Sequence, residues 1–485
     1  MKLNKIIAVL ATMAAVASCD LEIAQKSTID SASMWTDEGD FKSAMYGCFY
    51  SFRNAYKVNM TYWGDFRSGV IGPGLGSFNA VSHVNNVLTS SEGKGTSWAT
   101  LYTCINDCNS LLRHLGDISF SSQATRNEIA ANAYFLRAYC YFTIVRTWGD
   151  APLLLSGIES DKDDILPARS DEMLLYSRIA EDLALADTLM PASVKSCVTG
   201  SKASIHMLET DYWLWMYKVK NAGQKALKAA SDAVDQVLAE SRFGLLDSYE
   251  DVFSCSNKGN KEIIFTLRFV RTTEEFTTFY DDYLIPTSKY TDDPSYLQNE
   301  SVKTGSQDQW YSFSQSFQEF LYENPDDSRA KTNFISFTIP ETGNSYSWIN
   351  KFPGEWLQGV RYFTSDIPLY RFSEALLFKA EIEAAKEGGD PLPYLNRVAK
   401  RAYGKDDFYP ADLSGEALNE AIFNERLKEF AAEGKSWWDY IRMGYAFIKI
   451  PSLVGRENET NILLWPISSA CFEDNPNIRQ TLGYN

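Results

Sequence analysis

Residues 133–153 have the sequence AYFLRAYCYFTIVRTWGDAPL, and their apolar side chains recur at the three- and four-residue steps of an α-helix. Trp148 and Gly149, with Pro152 beyond them, carry the signals of a helix end. The residues that share the apolar face are Ile129, Ala133, Leu136, Cys140 and Ile144. The segment therefore predicts a long helix that buries one face.

Helical periodicity extends along most of the chain, over residues 98–115, 174–189, 204–219, 225–239, 367–386 and 416–433. Several of these stretches are rich in alanine and are joined by short loops, which is typical of stacked helical hairpins. A strict repeat of about 34 residues is not evident, so any tetratricopeptide-like character is degenerate. The sequence predicts a mainly α fold.

The composition excludes several classes of protein. The 485 residues include 46 Lys and Arg against 63 Asp and Glu, which gives a formal net charge of −17. This balance argues against binding to nucleic acid, which requires a basic surface. Beyond the extreme N-terminus no apolar run reaches the roughly 18 residues of a transmembrane helix. Histidine occurs only three times, whereas Phe, Trp and Tyr make up 14% of the chain, a composition that favours ligand binding over acid–base or metal chemistry.

Residues 1–18 have the pattern of a secretory signal peptide, with Lys2 and Lys5 ahead of an apolar stretch too short to span a bilayer. The pattern ends in VASC at residues 16–19, which matches a bacterial lipobox. We expect cleavage before Cys19 and acylation of that residue, since two or three acyl chains anchor a protein stably. Residues 19–485 are then expected to form a single domain.

Two segments, residues 64–97 and 255–365, lack helical period and are rich in Gly, Ser, Asn and Asp. Within the second, residues 262–269 and 334–339 have the pattern of short strands. Loop-rich segments carried by a rigid helical frame are common places for binding sites. We therefore expect a ligand-binding region with minor β structure in these two segments.

No motif of a nucleophile, nucleotide-binding loop or zinc site occurs. The seven cysteines after Cys19 are odd in number and scattered, which favours buried small apolar residues over a disulfide framework. Ser91 and Lys94 form an SxxK pattern, but it lies in a serine-rich loop and is interpreted as coincidence. A glycosidase pair of carboxylates needs only spatial proximity, so it stays an alternative. The absence of other catalytic motifs favours a protein that is not an enzyme and needs no cofactor.

Four stretches of the sequence resemble signatures of the SusD/RagB family, surface lipoproteins of nutrient-uptake systems in the Bacteroidetes. They are FLRAY with WGDAPL in residues 135–153, residues 366–385 with PYLNRV at 393–398, NERLKEF with EG, Trp437 and Asp439 in residues 424–439, and WPI, NPN and GY in residues 465–484. Together with the lipobox they span the chain in the family's order.

The resemblance implies a SusD-like fold, in which four degenerate tetratricopeptide-type helix pairs support a loop-rich ligand face. It also implies a lipid-anchored outer-membrane protein, exposed at the cell surface, that captures oligosaccharides and passes them to a SusC-like TonB-dependent transporter. Peptide capture, associated with the RagB branch, is the competing binding function.

Acidic residues after Cys19 are read as a surface-display signal in some bacteria and as an inner-membrane retention signal in others, so membrane sorting depends on the organism. The signature residues Arg137, Trp148, Glu425, Glu429, Trp437 and Trp438 are interpreted as scaffold.

A glycan site needs aromatic rings for the C–H faces of sugars and planar polar side chains for their hydroxyl groups. Candidates in residues 64–97 are Asp65, Arg67, Phe78 and Asn79, and those in residues 255–365 are Tyr290, Tyr296, Trp310, Tyr311 and Trp348. Family members often carry an acidic residue where this chain has Gly69, so polar contacts do not transfer directly. Burial beneath the loop is the competing interpretation for each ring.

A structural Ca²⁺ bound by Asp292, Asp293, Asp326 and Asp327 is a further hypothesis, although their spacing lacks an EF-hand pattern. Solvated acidic loops are the favoured interpretation. No metal ligand is therefore assigned.

Overall fold

The computed structural model describes residues 34–76, 78–160, 162–271, 284, 309–338, 343, 345–358 and 360–484. About 51% of the chain is helical, which confirms the mainly α prediction. The longer helices are α1 (Glu38–Gly64), α3 (Ala99–His114), α4 (Gln123–Trp148), α5 (Glu172–Leu189), α6 (Lys202–Lys218), α7 (Gly223–Leu238), α10 (Phe372–Ala385), α11 (Leu392–Tyr403) and α12 (Gly415–Glu429). The shorter ones are α2 (Val81–Val84), α8 (Gln315–Tyr322), α9 (Ala330–Asn333), α13 (Ser436–Arg442), α14 (Ala446–Lys449) and α15 (Ser469–Asp474).

The helix ends have local causes. Asp37 caps α1, because its carboxylate accepts hydrogen bonds from the backbone N–H groups of Gly39 and Asp40. Helix α4 starts after the Ser122 cap and ends at Trp148, where Gly149 adopts a φ of +73° that favours glycine. The predicted end of this helix is therefore confirmed.

Within the described residues the long helices pack as four pairs, α1 with α3, α4 with α5, α6 with α7, and α10 with α11. Helix α10 also contacts α7 and α12 and so joins the last pair to the earlier ones. The largest buried apolar cluster of the described residues extends from Trp35 to Ile478, and two smaller clusters lie around α10, α11 and α12. Trp98, which heads the face of α3, is buried in the largest cluster. Among the described residues, no helix combines the length and hydropathy needed to cross a membrane.

The strands of the described residues form four antiparallel pairs, and each pair is a separate two-stranded sheet. They are β1 (Ile71–Pro73) with β3 (Tyr311–Phe313), β2 (Ile263–Leu267) with β8 (Ile367–Arg371), β4 (Phe334–Thr338) with β5 (Ser345–Ile349), and β6 (Glu355–Leu357) with β7 (Val360–Tyr362). The two strands predicted from the sequence correspond to β2 and β4. The predicted helix over residues 367–386 is wrong at its start, because residues 367–371 pair with β2 before α10 begins.

A buried network of charges ties the strand region to the last helices. The Arg371 guanidinium, 1% exposed, lies 2.9 Å from Glu429 Oε1, 2.9 Å from Glu262 Oε1 and 2.8 Å from Glu433 Oε1. Arg329 extends it through a 2.8 Å pair with Glu425. Such pairs compensate charges that burial would otherwise disfavour.

The residues that we interpreted as scaffold are all buried. Arg137 holds Asp182 through two hydrogen bonds of 2.7 and 2.8 Å that link α4 to α5. The others are Trp148, Glu425, Glu429, Trp437 and Trp438, each at most 7% exposed. Four of the seven described cysteines, Cys48, Cys104, Cys108 and Cys140, lie fully inside the apolar cluster, as expected for small apolar side chains.

Candidate functional site

The two loop-rich segments meet at the antiparallel pair of β1 and β3. Gly72 lies opposite Ser312 and Pro73 lies opposite Tyr311. The pairing continues past β1, where the Gly74 N–H donates to the Trp310 carbonyl at 3.1 Å. A Cβ on Gly74 would lie 2.4 Å from the Gln309 carbonyl oxygen, so only glycine permits this approach. Residues about 240 positions apart in sequence are thereby brought side by side.

The contact assembles a group of five side chains that we call the Trp310 cluster, namely Phe78, Asn79, Lys94, Trp310 and Tyr311. Its polar centre is a triangle of hydrogen bonds. The Lys94 ammonium donates to Asn79 Oδ1 at 2.7 Å and to the Tyr311 hydroxyl at 2.5 Å. The Tyr311 hydroxyl also donates to Asn79 Oδ1. Asn79 is exposed, so one corner of the triangle faces solvent.

Aromatic rings surround this polar centre. The Lys94 Nζ lies 4.9 Å from the centroid of the Trp310 ring, within the range of a cation–π contact. The Tyr311 ring is fully buried and meets Phe66, Phe78 and Trp310 edge-to-face at centroid distances of 4.8, 6.1 and 6.3 Å. Trp310 and Phe78 are half-buried. The cluster thus combines a buried support, Tyr311, with two rings that are partly open.

The backbone holds Lys94 in place. His83 Nε2 donates to the Lys94 carbonyl at 2.9 Å, and burial lowers the pKa of His83, which favours the neutral ring. Burial also lowers the pKa of Lys94 to about 8. The ammonium is therefore partly removed from water while it contacts the side chains of the cluster.

Lys94 is the residue of this group that sequence reasoning missed. The SxxK pattern drew attention to it only as a possible nucleophile site, and no local pattern relates it to Trp310. Tyr62 of α1 was missed for the same reason, although its hydroxyl lies 3.3 Å from that of Tyr311. Only the pairing of β1 with β3 and the turn after α2 bring these groups together.

The prediction that Asp65 binds ligand is wrong, because this residue is 1% exposed and bonded within the protein. Its carboxylate accepts hydrogen bonds from the Gly434 N–H at 2.9 Å and from the Ser436 hydroxyl at 2.8 Å. A Cβ on Gly64 would lie 1.8 Å from the Gly434 carbonyl oxygen, which shows how closely the two segments pack. Burial outweighs these hydrogen bonds and raises the pKa of Asp65 to about 6.

Arg67 is also a structural residue rather than a ligand contact, since its side chain is fully buried. Its guanidinium donates to Asn86 Oδ1 at 2.7 Å, to the Leu464 carbonyl at 2.7 Å and to the Ile462 carbonyl. It also lies 4.4 Å from the centroid of the Trp437 ring. Arg67 thus fastens the loop after α1 to the C-terminal segment.

A third prediction, that Trp348 contacts the ligand, is also wrong. It lies opposite Ile335 in the pair of β4 and β5 and is fully buried. Its polar sequence neighbours suggested exposure, but in a strand the alternate side chains point to opposite faces, so polar neighbours do not expose the ring.

Several predicted residues lie outside the described part of the chain, namely residues 1–18, Cys19, Tyr290, Tyr296, Asp292 and Asp293. Of the remaining calcium candidates, Asp327 pairs with Arg329 at 2.8 Å and Asp326 lies 3.2 Å from Lys405. In the ranges that the structure covers, no group of three or more His, Cys, Asp or Glu side chains is arranged to hold a metal ion.

Two family models match the sequence. Residues 70–205 match a family described as starch-binding and associating with the outer membrane, and residues 268–484 match the SusD family. These ranges include every residue of the Trp310 cluster.

Known proteins resemble the chain over nearly its whole length. The SusD-like protein P38 of Formosa agariphila is 22% identical over 98% of this chain and 98% of its own. The structure of NanU from B. fragilis superposes with a TM-score of 0.84 at 26% identity, covering 96% of this chain and 100% of that one. A SusD superfamily protein from Bacteroides vulgatus superposes with a TM-score of 0.81 at 26% identity, covering 93% and 100%.

Proposed function

Because this chain belongs to the SusD/RagB family, we propose that it captures oligosaccharides at the outer membrane and delivers them, uncleaved, to a SusC-like TonB-dependent transporter. A lipid on Cys19 would provide the anchor. The observation that carries the proposal is the Trp310 cluster, where half-buried rings lie next to the exposed Asn79 amide.

This arrangement suits sugars for two reasons. Half-open aromatic rings offer flat apolar surface to the C–H face of a sugar ring. An amide, a phenol and an ammonium group provide donors and acceptors for the hydroxyl groups around that ring. Because Tyr311 is fully buried and bonded to both Asn79 and Lys94, the polar groups are held in place before a ligand arrives, which lowers the entropic cost of binding.

The same geometry favours binding without bond cleavage. Glycoside hydrolysis normally uses two carboxyl groups at roughly 5–10 Å from each other across the scissile bond. The five side chains of the cluster comprise two apolar rings, a phenol, an amide and an ammonium, and so provide no such pair.

The proposal is tested by applying the purified full-length chain to arrays of glycans and of peptides, followed by calorimetric titration of the best binder. Binding to saccharides that weakens in Asn79→Ala and Trp310→Ala supports it. Tyr46→Ala is the matched control, because Tyr46 is an aromatic residue of α1 that is 60% exposed and lies outside the cluster. Binding to peptides alone would refute glycan capture, and release of shortened sugars would indicate an enzyme.

Delivery to a transporter requires a separate experiment. Co-purification of the lipidated chain with a SusC-like TonB-dependent channel from the same organism is expected, and replacement of Cys19 by Ser should release the protein from the membrane fraction. If the Cys19→Ser protein stays membrane-bound, the lipid anchor is wrong.

A further inference from the structure

A positive charge stands inside the Trp310 cluster. The Lys94 ammonium lies 2.7 Å from the oxygen of the exposed Asn79 amide and 4.9 Å from the centroid of the half-buried Trp310 ring. A ligand that contacts either of these residues therefore comes within a few ångströms of this charge. We infer that the site prefers saccharides that carry a carboxylate or sulfate group, and that Lys94 confers this preference. The inference rests on the proposed function, since it names the class of saccharide that the same site takes.

The partners of Lys94 fix the place of its charge. Two of the hydrogen bonds of the ammonium go to uncharged groups, the Asn79 amide and the Tyr311 hydroxyl. Tyr62, Trp310 and Tyr311 place ring centroids at 5.8, 4.9 and 5.3 Å from Nζ. Neither of these two hydrogen bonds neutralises the ammonium, and together with the ring contacts they hold it beside the part of the cluster that a ligand would reach.

The partial burial of Lys94 strengthens the electrostatic effect of its charge on a ligand. Charges in a half-buried site are screened less by water and salt than charges on an open surface. A neutral sugar that covers the cluster would remove further water from the ammonium, which carries an energetic penalty. A ligand with a negative group would offset that penalty, so the two classes of ligand should differ in affinity.

The chain as a whole does not favour anions. Its formal net charge is −17, so distant electrostatics would repel an acidic saccharide. A preference for acidic ligands would therefore have to arise locally, which makes it sensitive to the replacement of one side chain.

The experiment compares saccharides that differ only in charge. An oligogalacturonate is titrated against its methyl ester, and a sulfated oligosaccharide against its desulfated form, with an array of neutral, uronate-bearing and sulfate-bearing glycans to extend the set. We expect the charged member of at least one pair to bind about tenfold more tightly. The pair that shows the difference identifies whether the carboxylate or the sulfate is recognised.

Three variants assign the effect to Lys94. Lys94→Met retains the length of the side chain without its charge and should reduce the difference within a pair to less than about twofold, whereas Lys94→Arg should preserve it. Lys228→Met is the control, because Lys228 lies on the surface of α7 with its side chain 75% exposed. Melting temperatures of all variants establish that they are folded.

The pH dependence gives an independent readout. The burial that lowers the pKa of Lys94 to about 8 means that its charge is lost as the pH rises from 7 to about 9. The tighter binding of the charged ligand should disappear over this range in the wild type and be missing throughout in Lys94→Met. Tyr62 of α1, His83 of α2 and Tyr311 of β3 are the other titratable groups near Lys94 in the described structure, and Glu92 of the same loop acts on His83.

The outcomes separate the inference from the proposed function. Equal affinity for the charged and neutral members of each pair would overturn the inference and leave glycan capture standing. A charge preference that survives in Lys94→Met would also overturn it. A wild-type protein that binds no saccharide at all would refute both.

Discussion

The two ends of the loop after α1 use similar side chains for opposite purposes. Near its start, Asp65 and Arg67 are buried and bonded to residues of the C-terminal third of the chain. Farther along, Asn79 and Lys94 are bonded to each other, with Asn79 exposed and Lys94 half-buried. An acceptor and a cation occur at both ends, and only one pair is available to a ligand. Burial, rather than residue type, decides which polar group is structural.

The difference arises from what covers each end. Residues 462–464 and Gly434 cover Arg67 and Asp65, and their backbone groups form hydrogen bonds with the two side chains. At the other end, β3 supplies Tyr311 as support from beneath, while Asn79 stays exposed. The first end therefore stabilises the fold, and the second is free to act in recognition.

The largest effect should come from Trp348→Ala. Removing a fully buried tryptophan leaves a cavity and should lower the free energy of unfolding by about 4 kcal/mol. Chemical denaturation measures this loss. A change below about 1 kcal/mol would mean that Trp348 is not a core residue. Trp348 would then return to the set of candidate ligand contacts.

Arg67→Met should cost about 3 kcal/mol of unfolding free energy, because it leaves the carbonyl groups of Ile462 and Leu464 without their donor. Glycan affinity of the fraction that remains folded should not change. If this variant keeps its stability and loses binding, the interpretation of Arg67 as structural is wrong.

The free energy of unfolding should depend on pH because of Asp65. Its pKa, raised to about 6 by burial, lies above the usual value of 3.8, so the folded state holds the proton more tightly than the unfolded chain. Its contribution is present below pH 4 and is lost as the pH rises through 6, a change of about 3 kcal/mol for two pKa units. In Asp65→Asn the free energy of unfolding should no longer show this decrease between pH 4 and 6, which denaturation at a series of pH values measures. If the unfolding free energies of the wild type and of Asp65→Asn change with pH in parallel, Asp65 is not the group responsible.

Trp310→Ala should have the smallest effect on stability, with a melting temperature nearly unchanged and a loss of about 1 kcal/mol or less, since the ring is only half-buried. Saccharide binding should fall at least tenfold, as expected for an aromatic anchor. Thermal melting and calorimetric titration of the same samples test both parts. A large fall in melting temperature would place Trp310 in the core and contradict its role in binding.

Much of the architecture could be predicted from local patterns. The 3.6-residue period of α4, its end at Gly149 and the strand pattern of residues 334–338 all appear in the structure. These features depend on side chains that are close in sequence, where helix periodicity and backbone preferences act directly. The start of α10 was misassigned because the residues of β8 are buried throughout, and the apolar ones among them fit a buried helix as well as a strand.

The candidate binding site was only partly predictable. Phe78, Asn79, Trp310 and Tyr311 were proposed from residue type, and the structure brings them together. The same reasoning wrongly included Asp65, Arg67 and Trp348, because the composition of a loop does not reveal which of its side chains are covered. Tyr290 and Tyr296 stay predictions.

Periodicity and motifs along the chain are enough to establish the helical scaffold, the resemblance to the SusD/RagB family and the pool of aromatic and polar residues from which a site could be built. Tertiary structure alone decided which polar side chains are buried and which face solvent. The pairing of β1 with β3 places Lys94 and Asn79 beside Trp310 and Tyr311, while the C-terminal segment covers Arg67. Burial and proximity depend on contacts between residues hundreds of positions apart, and no local pattern records them.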